Sequence, residues 1–217
     1  MPSADLMSLI AAIVAGDKAA FDARLSASPA LARDALGEGA TRQGGGAFFV
    51  PAIGRYLMVG DTALHIAAAA HRPGMARALL AAGADVRARN RRGAGPLHAA
   101  ACGRPGAADW NPVDQAETVA VLIAAGADPN VPDKGGAAPL HKAVRTRAAA
   151  AVDALIAGGA DPGLATKGGT SPLRLAELTT GRSGAGAPEA KAQQALILRR
   201  LRGGTGMSVR HPHSPEN

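Results

Sequence analysis

His98 and Cys102 stand four residues apart, a spacing that on a helix brings an imidazole and a thiol to one face and would let a base activate a nucleophile. His65, His98 and His141 recur at intervals of 33 and 43 residues, a row of nitrogens of the kind that holds zinc. Gly44-Gly45-Gly46 has the backbone freedom of a phosphate-cradling loop. A row of cations, Arg91, Lys134 and Lys167, follows the same two intervals and suits carboxylates or phosphates.

The first three lose their chemistry when their surroundings are read. Cys102 falls at the C-terminal end of its expected helix, where the helix dipole disfavours thiolate, and no third residue orients the imidazole. Histidines on successive stacked units ~10 Å apart cannot share an ion whose ligands lie at ~2 Å. The triple glycine lacks the Lys-Ser or Lys-Thr that grips phosphate, and Gly168-Gly169 reads as an ordinary turn. No catalytic residue, metal ligand or cofactor is expected, so the chain is read as non-enzymatic.

A repeat is what positions these residues. Leu64, Leu97, Leu140 and Leu173 each sit in a short Ala/Pro-Leu-His/Arg run, at intervals of 33, 43 and 33. Gly83, Gly126 and Gly159, each followed by Ala-Asp, keep the 43 and 33 spacing. Two independent marks in one register place a ten-residue insertion between Leu97 and Gly126. Within residues 60–92, Thr62 caps a helix starting at Ala63, with Leu64, Ala67 and Ala68 on one side. Pro73 opens a second helix carrying Met75, Leu79 and Leu80, and Gly83 ends it in a left-handed conformation. Neither short helix buries its apolar stripe alone, so neighbouring units must complete the core.

The runs Asp61-Thr62-Ala63-Leu64-His65, Gly95-Pro96-Leu97-His98, Ala138-Pro139-Leu140-His141 and Ser171-Pro172-Leu173-Arg174 resemble the Thr-Pro-Leu-His signature of the ankyrin repeat, and Gly-Ala-Asp resembles its helix-ending turn. The resemblance implies an all-α solenoid of about five helix-turn-helix repeats with projecting finger turns, and a function in binding rather than chemistry. It also makes the motif His a structural post, hydrogen-bonded to backbone and to the capping Thr. Where Gly95 and Ala138 replace that Thr, each helix start should be weaker by about 1 kcal/mol.

The register extends over residues 1–203. It gives a capping repeat at 5–36, an insertion at 37–59, repeats at 60–92, 93–135 and 136–168, a closing repeat at 169–203, and a disordered basic tail at 204–217. Leu9 and Leu64 are 55 apart, 22 beyond the 33-residue period, which puts the first insertion on the finger side. The ten extra residues, near 103–116, fall between two helices at the opposite edge, as does a third loop near 180–188. The closing repeat is expected to carry helices near 172–179 and 189–202, with Gln193, Gln194, Arg199 and Arg200 on a solvated outer face.

Function on a repeat scaffold concentrates in its loops. Four of the five aromatic residues, Phe48, Phe49, Tyr56 and Trp110, lie in the first two insertions. The segment 47–58 is either an aromatic recognition patch or a cover over the groove and cap junction, and Trp110 either an anchor or a plug over helix ends. Arg91, Lys134 and Lys167 place one cation on each finger, with Arg87, Arg89 and Arg92 thickening the first. Lys142 and Arg145 are three apart on one helix, and the resemblance turns position 142 toward the concave groove. With a net charge of +7 and a pI near 10.5, this edge favours an acidic protein partner; the alternatives are an anion or nucleic acid, or a merely solvated edge. The sequence has no recognition-helix motif and no aromatic stacking platform for nucleic acid. Cys102, the one cysteine, excludes an internal disulfide, and Asp5 precedes the first apolar stretch where a secretory signal needs positive charge. A monomeric cytoplasmic protein is expected, with no segment approaching the ~20 apolar residues that cross a bilayer.

Overall fold

Short, alanine-rich amphipathic helices separated by left-handed glycines can bury their stripes only by stacking, and a computed structural model of the chain shows that stack. It describes residues 4–41, 44–178 and 188–204. The expected third loop and the tail beyond Gly204 lie outside them. Five helix pairs follow one another: α1 (Ala4–Ala15) with α2 (Lys18–Ala27), α3 (Ala63–Ala69) with α4 (Pro73–Ala81), α5 (Pro96–Ala100) with α6 (Pro112–Ala124), α7 (Pro139–Arg145) with α8 (Ala149–Ala157), and α9 (Pro172–Glu177) with α10 (Pro188–Gly204). The first helices of the pairs form one row, α1 to α9, and the second helices another, α2 to α10.

The core runs between the rows. Leu64, Ala67 and Ala68 are fully buried, and the small alanines let α3 and α5 approach closely. Leu79, Leu122 and Leu155 point into the repeat, while the next residues, Leu80, Ile123 and Ile156, are half-buried between repeats. Ile123 shows how close that approach is: a Cβ on Gly158 would stand 2.3 Å from its Cδ1.

Fingers are built alike. The backbone N–H groups of Asn90, Asp133 and Thr166 each donate to the carbonyl of the residue four later, and each side chain accepts that residue's N–H. Gly60, Gly93 and Gly136 turn with φ of 82°, 71° and 83°, a region that a Cβ disfavours. The cation of the following finger lies over two of them: the Lys134 stem covers Gly93 and the Lys167 stem covers Gly136.

Several expectations need correction. The stretch 103–116 is not all loop: Asn111 caps α6 by accepting from Val113 and Asp114 N–H, and Pro112 opens it, so residues 112–116 lengthen the outer helix. The first closing helix stops at Glu177. Gln193 and Gln194 do not face solvent: Gln193 accepts from Ala149 N–H and Gln194 donates to Ala176 O, supplying partners for α8 and α9, whereas Arg199 and Arg200 are exposed. The first insertion carries a two-stranded antiparallel hairpin of β1 (Phe49–Val50) and β2 (Arg55–Tyr56).

The two cap-deficient helix starts differ. Thr62 Oγ1 and N–H both meet His65 Nδ1, and Gly95 N–H still donates to His98 Nδ1 at 3.1 Å. His141 Nδ1, above Ala138, is buried without a partner. Ala138→Thr should therefore stabilise the chain by about 1 kcal/mol, its hydroxyl donating to Nδ1 and accepting from His141 N–H. Thermal melts of the two proteins check this; an unchanged or lower midpoint refutes it.

Candidate interaction surface

The residues with chemical potential prove to be posts. His65 Nε2 meets Ala94 O at 3.1 Å, His98 Nε2 meets Ala137 O at 3.2 Å, and His141 Nε2 meets Thr170 O at 3.1 Å. Each imidazole thus ties its helix to the end of the following finger. Burial holds His65 and His98 at a pKa of about 4, keeping them neutral with Nε2–H donating. His98 has both ring nitrogens engaged, so none is left for Cys102. The thiol lies just past α5, near His98 O, and burial pushes its pKa up. Among the described residues no group of three or more His, Cys, Asp or Glu is placed to hold a metal. No helix among them is long and apolar enough to cross a membrane.

The hairpin runs from the finger end of the stack to the far end of the inner helices. Its base is fixed at the finger end, where Leu36 N–H donates to Asp61 O, Gly60 N–H to Leu36 O and Ala40 N–H to Leu57 O. Its tip, the turn Pro51–Ile53, touches α1, and Ala52 O accepts from Arg104 at 2.8 Å, beyond the C-terminal end of α5. The two insertions, expected at opposite edges, therefore meet, because the hairpin is long enough to span the inner helices. Phe48, Val50 and Ile53 turn down onto the core. Phe49 and Tyr56 remain 41% and 45% exposed, their rings 4.9 Å apart, with Tyr56 lying over Gly45.

Arg55 and Asp61 were not singled out from the sequence, although they fix this hairpin. Asp61 is completely buried; Arg55 Nη2 reaches its two oxygens at 2.9 and 3.2 Å, Met58 N–H donates at 2.8 Å, and Asn90 Nδ2 at 2.9 Å. Asp61 sits where the motif begins, which was the available signal. Trp110 is half-buried; its Nε1 donates to Gln115 Oε1 at 2.9 Å, and the buried Gln115 donates to Ala100 O. The indole thereby covers the start of α6 and the end of α5.

The cations divide into two groups. Arg89 donates to Gly93 O and Pro132 O, Arg91 to Ala40 O, and Lys167 to Lys134 O, so their charges brace neighbouring fingers. Lys142 pairs with Asp133 at 2.5 Å, the two side chains 15% and 9% exposed. Burial works to raise the Asp133 pKa, but the Lys142 hydrogen bond, the Ala137 N–H and the Lys142 charge bring it below the usual carboxylate range. Arg87, Arg92, Lys134 and Arg145 are exposed, and among the described residues their side chains enter no hydrogen bond or ion pair.

Stacked helix pairs, glycine-turned fingers and a histidine tying each repeat to the next are thus in place. Comparison with protein families matches residues 59–91 and 92–134 to the ankyrin repeat, and residues 122–176 to ankyrin repeats in many copies. The chain belongs to the ankyrin repeat family. Ankyrin repeats generally mediate protein–protein interaction and are typically non-enzymatic. Comparison with curated proteins gives no match. Outside the matched ankyrin repeats lie the capping pair α1–α2, the hairpin and α10.

Proposed function

We propose that this ankyrin repeat protein is a monomeric, non-enzymatic module that binds an acidic protein partner along its finger edge, with the hairpin aromatics adding specificity. The observation that carries this reading is the division of the cations: some brace the fingers, while Arg87, Arg92, Lys134 and Arg145 stay exposed and uncommitted. Unpaired surface charge steers association without desolvating an existing pair. The tilted, partly exposed Phe49–Tyr56 pair supplies rigid apolar area for a partner. The hairpin tip lies over α1, and Arg145 stands exposed on α7, farther along the stack.

The test compares three baits in lysate of the source cells, with and without nuclease, at ~0.15 M and ~0.5 M salt: wild type, Arg87/Arg92/Lys134→Glu, and Phe49/Tyr56→Ala. A protein held at both salts and lost with either variant is the expected result. Material that disappears with nuclease, depends only on the charges and ignores the aromatics would replace this reading with nucleic-acid binding.

A further inference from the structure

Two junctions between successive repeats are bridged by a side chain at the base of the fingers, and the junction between them lacks the bridge. Asn130 Nδ2 donates to Gly159 O at 2.9 Å while its Oδ1 accepts from Asp161 N–H at 2.7 Å. At the first junction Arg33 Nε reaches Gly83 O at 3.3 Å. Forty-three residues before Asn130, in the same register, stands Arg87. Among the described residues its guanidinium has no hydrogen-bond partner, no donor reaches Gly126 O and no acceptor meets Asp128 N–H.

A cavity of about 400 Å³ opens at this junction. Its floor is Val86, Leu97, Ala127 and Val131, and Arg87 and Arg89 stand at its rim. Arg89 is already fixed by Gly93 O and Pro132 O at 2.7 and 3.1 Å, so its charge is in place before anything binds. The Asp128 carboxylate is turned back to Asn130 N–H at 2.8 Å, leaving the Asp128 N–H as a donor.

We propose that the cavity receives an acidic side chain of the partner, a glutamate or aspartate with an apolar neighbour. The carboxylate takes the place of the Asn amide oxygen, accepting from Asp128 N–H and from Arg87. A second N–H of that guanidinium turns to Gly126 O, whose residue it already approaches, Nη2 lying 4.0 Å from where a Cβ on Gly126 would be. The apolar neighbour covers Leu97 and Val131. Charge-assisted hydrogen bonds on an apolar floor fit this ligand better than a phosphate, which would leave the floor uncovered. The proposal rests on the reading of the chain as a binder of an acidic protein and names the point of contact.

The probe is a blocked peptide with one Glu beside one Leu in a Gly/Ser frame, with its Gln counterpart as control, followed by amide NMR. The Glu peptide should shift Gly126 and Asp128 and bind about tenfold more tightly than the Gln peptide. Arg87→Asn should abolish that difference and raise the melting temperature, because Asn restores the bridge seen at Asn130; Arg199→Ala, exposed on α10, should leave peptide binding intact. Glu-peptide binding unchanged in Arg87→Asn, or no shift at Gly126 and Asp128, overturns the proposal. A lysate partner lost with Arg92/Lys134→Glu but kept by Arg87→Asn refutes the cavity while sparing the broader reading. Peptide bound at the cavity without any charge-dependent partner sinks the broader reading and leaves the site.

Discussion

Acidification from neutral pH to about pH 4 is expected to unfold the solenoid, through its histidines rather than its carboxylates. His65, His71 and His98 each have a pKa of about 4, lowered chiefly by burial, against an ordinary value of 6.5. Between those values the unfolded chain binds protons that the folded chain refuses. Stability is therefore complete above about pH 6.5 and is lost as pH falls through the window toward 4. Each histidine accounts for about 3 kcal/mol, and three acting independently approach ~10 kcal/mol, comparable to the whole stability of a domain. Protonating Nδ1 of His65 or His98 also turns the acceptor of Thr62 or Gly95 N–H into a second donor. Melting temperatures measured from about pH 7 to 4 should fall steeply below about 6, and a His71→Gln variant should have a shallower slope. A flat profile down to about pH 5 would refute this assignment of the buried charge states.

Removing the Arg55 guanidinium should be the most costly single change in the hairpin. Arg55→Met leaves the fully buried Asp61 with Met58 N–H and the Asn90 amide but no counter-charge. Breaking a buried pair from one side costs about 3–5 kcal/mol, and the 21% exposure of the Arg55 side chain places the expectation near the lower figure. Urea unfolding measures it, and limited proteolysis near Gly54 should show the hairpin released. Arg55→Met combined with Asp61→Asn should recover much of the loss, because the buried charge is gone. A single-variant loss below about 1 kcal/mol would mean that the pair contributes little and the apolar residues alone hold the hairpin.

The helices were legible because two periodic marks, the leading Leu and the Gly-Ala-Asp turn, define where each repeat starts and stops. The core was legible to within one residue: Leu79 and Leu80 are both expected on the apolar stripe of their helix, and Leu79 is fully buried whereas Leu80 is half-buried. The hairpin was not legible, since its two-residue strands are shorter than any alternation that could reveal them. Nor was the fate of the finger cations, because Arg89, Arg91 and Lys167 bond to backbone carbonyls, which carry no mark in the sequence. The site at Arg87 was legible in principle. It required asking which side chain the register puts opposite Asn130, where counting charges treated Arg87 as one more cation on a basic edge.

The tie between Ala52 and Arg104 spans 52 residues, and this orders events on the ribosome. At ~5–20 residues per second, Arg104 emerges roughly 3–10 seconds after Ala52. Arg55 and Asp61, six residues apart, can meet almost at once, so the hairpin is anchored at its base while its tip waits. During that interval the faces of Phe48, Val50 and Ile53 that pack on the core rest on a cap whose neighbours are still being made. The hairpin tip is thus tied down only once the second insertion has been synthesised.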